Sequence, residues 1–128
     1  MADQNIYPSF RYRDAPAGIA WLVDVLGFEV SELHEADDGS VAHAELRFGP
    51  GLIMLGSERE DSFSGRGAGG FTYIALDDVD DLYERVRAKD ADVVMEIRDT
   101  DYGSRDFSVR DPEGNVWSFG TYRPSAAT

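Results

Sequence analysis

The chain has 128 residues, with 25 acidic side chains against 12 Lys and Arg and a formal charge of −13. That length suits one ordinary domain or two small modules sharing a core, and a surface this acidic repels nucleic acid phosphates and anionic lipid. Apolar residues make up 42% and aromatics 12%, enough for a real core, while the lack of cysteine removes disulfides, thiolate metal sites and thiol nucleophiles. No apolar run approaches the ~20 residues of a membrane span. The polar start Met1-Ala-Asp-Gln-Asn lacks the apolar stretch of a signal peptide, so a cytoplasmic protein with no nucleic acid or membrane partner is expected. The acidic balance either attracts a cationic ligand or serves solubility alone.

In chain order, residues 6–13 read as an alternating strand, with Phe10 and Tyr12 on one face and Tyr7, Ser9, Arg11 and Arg13 on the other. Asp14 is the predicted N-cap of a helix that tolerates Pro16 in its first turn. The helix carries Ala15, Ile19, Leu22 and Leu26 at helical spacing, and Gly27 supplies a left-handed C-cap. Strands follow over 28–34, 41–48 and 52–55, with turns at Asp37-Asp38-Gly39 and Gly49-Pro50-Gly51. In the strand over 41–48, Ala42, Ala44, Leu46 and Phe48 share one face, and His43, Glu45 and Arg47 the other. The stretch from Gly56 to Gly70 has no periodicity and reads as a linker or a lid over a site.

The pattern then starts again. A strand over 70–76 leads to Asp77-Asp78 and a helix with Val79, Leu82, Tyr83 and Val86 on one stripe. A strand over 93–97, a loop over 99–103 and a hairpin of strands 104–110 and 115–122 complete the second half. The hairpin turns at Asp111-Pro112-Glu113-Gly114-Asn115, where Pro sets the front of the turn and Gly or Asn provides the positive φ behind it. An offset of 64 residues places Asp14 on Asp78, Leu22 on Val86 and Met54 on Ser118. The expected fold class is therefore α+β: two tandem βαβββ modules, about 5–56 and 70–123 with a linker over 57–69, whose mixed sheets curl into a cup with the helices outside.

Several stretches in this order resemble the vicinal-oxygen-chelate superfamily of glyoxalases, bleomycin resistance proteins and extradiol dioxygenases. They are Asp14 with the helix ending Leu26-Gly27-Phe28-Glu29-Val30, then Asp77-Asp78-Val79-Asp80, then Arg110-Asp111-Pro112-Glu113-Gly114-Asn115. His43-Ala44-Glu45-Leu46 and Asp101-Tyr102-Gly103-Ser104-Arg105 further resemble a glyoxalase or bleomycin-resistance-like subgroup. In metal-dependent members, the resemblance implies ligands of His, Gln or Glu type on the first and last strand of each half. At those positions this chain has Tyr7, Met54, Phe71 and Ser118, which are poor donors for a hard divalent ion. No metal and no cofactor are expected.

The inward-facing set then includes Tyr7, Ser9, Arg11, Met54, Phe71, Tyr73, Ser108 and Ser118, with Leu52, Asp106 and Val116. Such a lining suits a planar, partly apolar small-molecule ligand, or simply a packed core. Family geometry adds Glu45 as a contact, and Tyr102 and Arg105 stand by the closing hairpin, where Arg105 either holds a ligand or pins the loop over 99–103. The resemblance implies a homodimer that sequesters an aromatic or cationic compound such as an antibiotic. The alternatives are a metal-independent lyase or isomerase, with Glu45 or His43 as base and Arg105 or Tyr102 stabilising an oxyanion, and a metal-dependent enzyme of glyoxalase or dioxygenase type.

Overall fold

The computed structural model describes residues 4–64 and 71–124. The glycine cluster and most of the C-terminal tail singled out in the sequence lie outside the described residues. Two compact units form, Met1–Gly67 and Ala68–Thr128. The fold is α+β, and each unit is a βαβββ module with one four-stranded mixed sheet.

The first unit begins with β1 (Ser9–Tyr12), shorter than the predicted strand. Pro8 carries no N–H for a ladder, and its carbonyl accepts from the Met54 amide at 2.9 Å. Asp14 caps the helix α1 (Ala15–Trp21), its carboxylate accepting from the Ala17 amide at 3.1 Å. The chain continues as a π-helical turn, Leu22–Leu26, closed by Gly27 at φ 90° with its N–H on the Leu22 carbonyl. A left-handed residue is needed there, and glycine adopts it without strain. β2 (Glu29–Glu35), β3 (Val41–Phe48) and β4 (Gly51–Ser57) follow. The sheet order is β1-β4-β3-β2, with β1 parallel to β4 and the other pairs antiparallel.

Strand alternation sorts the side chains by face. Tyr12, Ala44, Leu46, Ile53 and Leu55 are buried on the face that α1 covers, together with Ala15, Leu22 and Leu26 from the helical segment. A Cβ on Gly18 would stand 2.6 Å from the Tyr12 ring, so the missing side chain is what lets α1 lie on β1.

The second unit repeats the path with β5 (Phe71–Ala75), α2 (Val79–Ala88), β6 (Asp92–Asp99), β7 (Arg105–Arg110) and β8 (Val116–Gly120), in the order β5-β8-β7-β6. Val79, Leu82 and Val86 of α2 are buried with Phe107, Val109, Trp117 and Phe119 of the sheet. The rings of Phe107 and Phe119 stack at 5.2 Å, and Tyr83 meets Phe107 edge-on at 5.1 Å.

The closing hairpin is held by one carboxylate. Asp111, 3% exposed, accepts from the amides of Glu113 and Asn115, the Asn115 carboxamide and the Trp117 indole N–H, the last at 3.1 Å. Gly114 takes the positive φ of 94° that the turn requires. No helix among the described residues is long and apolar enough to cross a membrane.

Candidate functional site

Each sheet has one face under its helix and one turned away from it, and the sequence-predicted contacts fall mostly on the second. In the first unit, Ser9 pairs in register with Met54, Met54 with Glu45, and Glu45 with Glu32, so four side chains make a row across the sheet. Two residues along β3 from Glu45, the imidazole Nε2 of His43 lies 2.8 Å from a Glu45 carboxylate oxygen. On β2, His34 pairs with His43, their rings stacked at 6.2 Å, and its own carboxylate neighbour is Glu32 at 3.4 Å.

Arg11 lies on this face but is not a free cation. Its guanidinium reaches both carboxylate oxygens of Asp61, at 2.8 and 3.2 Å, and stands 5.8 Å over the Phe63 ring. The fork geometry makes this a charge-assisted pair. The hydrogen bond from Arg11 holds the Asp61 carboxyl below the usual carboxylate range, helped by the Phe63 amide. The described part of the stretch read as a linker or lid is thus tied to β1. Tyr7 precedes β1; its hydroxyl donates to the Gln4 carbonyl, and the Gln4 carboxamide both donates to and accepts from the Leu52 backbone at 2.7 Å.

In the second unit, Tyr73 pairs with Ser118 and Ser118 with Ser108, whose hydroxyls are 2.7 Å apart. Phe71 opens β5 beside Val116 and is 74% exposed. Beyond this row stands a denser cluster. Asp106, 8% exposed, accepts from the Ser104 hydroxyl at 2.5 Å and the Tyr102 hydroxyl at 3.1 Å. The Tyr73 hydroxyl donates to the Tyr122 carbonyl at 2.6 Å, and the Tyr122 amide donates to the Ser104 hydroxyl at 3.0 Å.

Gly120, the register partner of Asp106, makes the space: a Cβ there would collide with the Asp106 carboxylate and stand 2.6 Å from the Tyr73 hydroxyl. Burial pushes the Tyr73 phenol up, and the hydrogen bond to Asp106 does the same for Tyr102. A phenol that donates to a carboxylate resists losing its proton.

Arg105 faces the other way. Its Nε reaches Asp80 in the first turn of α2 at 3.1 Å, and Nη1 reaches Asp99 at 3.1 Å. It therefore lies on the helix side, where both carboxylates hold it away from Ser108 and Tyr73. It pins the start of the loop over 99–103 as the sequence allowed, through Asp99 and Asp80 rather than Asp101 or Asp106. Ser104, Gly120 and Tyr122 were not among the sequence-predicted contacts. The 64-residue offset that pairs Gly56 with Gly120 was the one signal that could have raised Gly120.

The donor chemistry of the two rows can be set against a metal site. Tyr7, Ser9 and Met54 offer one phenol, one hydroxyl and one thioether, and the two carboxylates farther along the row, Glu45 and Glu32, are engaged by His43 and His34. Phe71 offers no donor atom, and Tyr73, Ser108 and Ser118 offer hydroxyls only. A hard divalent ion needs several carboxylate, imidazole or carbonyl donors converging on one point. These residues do not fit that requirement, and among the described residues no group of three His, Asp or Glu side chains is arranged to hold a metal ion.

The sequence matches the family model described as the Glyoxalase/Bleomycin resistance protein/Dioxygenase superfamily over residues 7–119. No curated protein matches the sequence. Among solved structures, TioX from Micromonospora sp. ML1 is 30% identical with a TM-score of 0.78, over 98% of this chain and 99% of that chain. An integron cassette protein from the mobile metagenome of V. cholerae is 20% identical with a TM-score of 0.67, over 96% of this chain and 99% of that one. The V278E mutant of glyoxalase I from Zea mays is 21% identical with a TM-score of 0.72, over 94% of this chain but 45% of that longer chain. The last two likenesses show a shared fold and nothing finer. By the match over nearly its whole length, the chain belongs to the glyoxalase/bleomycin resistance protein/dioxygenase superfamily.

Proposed function

We propose that this protein binds a small aromatic or cationic molecule without a metal ion, as a cytoplasmic homodimer that sequesters a compound such as an antibiotic. The two modules, about 5–56 and 70–123, act as one domain in this reading. The observation that carries it is the lining of the second unit's helix-free face. Tyr73, the Ser108–Ser118 hydroxyl pair and the exposed ring of Phe71 bring stacking surfaces and neutral hydroxyls to that face. Aromatic faces with a few placed hydroxyls suit a planar, partly apolar ligand. On its own sheet, the first unit's row of Ser9, Met54, Glu45 and Glu32, with Tyr7 before it, presents a polarizable thioether and two carboxylates.

The test is a thermal-shift panel of planar aromatic and cationic compounds, run in the presence of EDTA. Saturable stabilisation by one compound class, lost in Ser118→Trp, is expected, because a ligand that binds only the folded state raises its melting temperature. A panel in which stabilisation vanishes whenever EDTA is present contradicts the reading.

A metal-independent lyase or isomerase is the second reading, favoured by the 2.8 Å approach of His43 to Glu45. The pair is a base with an orienting partner, the arrangement that general acid–base chemistry requires. Under this reading Glu45→Gln abolishes turnover of a stabilising compound while leaving its binding intact.

A further inference from the structure

We infer that the corner made by Tyr102 and Tyr122 beside Asp106 seats an organic ammonium group, so that the ligand of the second unit is a cation. The inference deepens the binding reading above and rests on it.

The two rings stand 6.1 Å apart at 88°, an edge-on arrangement, and both are exposed, at 64% and 52%. Neither residue hangs loose. The Tyr102 hydroxyl is tied to Asp106, and the backbone of Tyr122 is held on one side by the Ser104 hydroxyl and on the other by the Tyr73 hydroxyl. A corner fixed before the ligand arrives loses little entropy on binding.

The carboxylate behind it has no ion-pair partner among the described residues. Asp106 accepts two hydroxyl hydrogen bonds, and among the described residues no Lys, Arg or His forms an ion pair with it. Arg98 is its register partner on β6, and no ion pair joins the two. A ligand cation would supply the opposite charge that no side chain among the described residues brings to it. Gly120 keeps the space for Asp106, since any side chain there would strike the carboxylate.

The chemistry of the corner selects among cations. A hard divalent ion needs more oxygen donors than one carboxylate and two phenols supply. An alkylammonium group needs what is present: π-faces to lie against and one nearby negative charge. The net charge of −13 draws such a ligand in from a distance.

The experiment is an amide NMR titration of the full chain with choline and, separately, with its uncharged carbon isostere 3,3-dimethylbutanol. Choline is expected to give saturable shifts at residues 102–106 and 120–122, with the alcohol weaker by about tenfold. Asp106→Asn and Tyr102→Ala each weaken choline by about tenfold. Arg98→Gln, by removing the nearby positive charge, tightens it. Tyr102 is exposed, so Tyr102→Ala carries the test even if Asp106→Asn does not fold. Equal binding of the alcohol, or wild-type choline affinity in Tyr102→Ala, overturns the inference. If planar neutral aromatics shift the amides around Ser108 and Ser118 while choline shifts nothing, the cation corner fails and the binding reading stands. If neither class binds, both fail.

Discussion

The first unit furnishes its helix-free face with charge, and the second with hydroxyls and rings. Ser9, Met54, Glu45 and Glu32 cross one sheet, with His43, His34 and the Arg11–Asp61 pair around them. Tyr73, Ser118 and Ser108 cross the other, and Asp106 with its two hydroxyl donors stands beyond that row. The helix-facing sides barely differ in kind, since both are apolar and buried. The difference teaches that this module fixes backbone path and core while leaving the open face free to vary, which is why membership of the family does not by itself give a ligand.

The comparison can be pressed where the two units have equivalent positions. Trp117 is fully buried with its indole on Asp111, whereas its equivalent Ile53 packs without a polar anchor. Trp117→Ala is expected to cost about 3–5 kcal/mol and Ile53→Val about 0.5–1.5 kcal/mol, read from denaturant unfolding. Trp117→Phe, which keeps a ring but removes the indole N–H from Asp111, isolates the anchor, and a loss near zero there would mean that the hydrogen bond contributes nothing.

The two glycines Gly56 and Gly120 are next. The atoms nearest a Cβ on Gly56 would be carbonyl oxygens at 3.2 and 3.3 Å and an Arg59 nitrogen at 3.5 Å, whereas one on Gly120 would collide with Asp106. Gly120→Ala should destabilise by about 1–3 kcal/mol, and Gly56→Ala by less. Gly120→Ala should also abolish choline binding if the corner depends on where Asp106 sits.

The helix caps differ more quietly. Asp14 accepts from the Ala17 amide, while Asp78 makes no side-chain cap bond. Asp14→Ala is expected to cost about 1 kcal/mol and Asp78→Ala a few tenths. Thermal unfolding of the two variants separates them.

The smallest effect is the pH dependence of the Arg11–Asp61 pair, which has no counterpart in the second unit. Its hydrogen bond depresses the Asp61 carboxyl, so the stabilisation is present above the unfolded-state pKa and is lost as pH falls through the lower folded-state value. The stability difference between wild type and Asp61→Asn should therefore be small at neutral pH, because the pair is partly exposed, and should vanish in acid. A difference that grows as pH falls contradicts the pairing.

What the sequence disclosed was what is local or periodic. Asp14 before an amphipathic stretch, Gly27 after it, and a five-residue turn between alternating runs each act within a few residues of themselves. The 64-residue offset went further, because it matched the two halves: the structure pairs Ser9 with Met54 and repeats that pairing as Tyr73 with Ser118, each residue displaced by the same interval. Contacts set by distant side chains were not legible. Arg11 is engaged by Asp61, fifty residues away, and Arg105 by Asp80, twenty-five away. The cluster at Asp106 joins residues from β5, the loop before β7, and the end of β8, so no spacing could announce it. The π-helical end of α1 was equally hidden, since apolar spacing does not distinguish one helical hydrogen-bond pattern from another.

The central claim, that the ligand rows work without a metal, is tested most directly by elemental analysis of protein purified from cells supplied with Zn, Ni, Mn and Fe. The account predicts that none of these is retained at stoichiometric level; one equivalent per chain, lost on replacing Glu45 or Ser118, would contradict it.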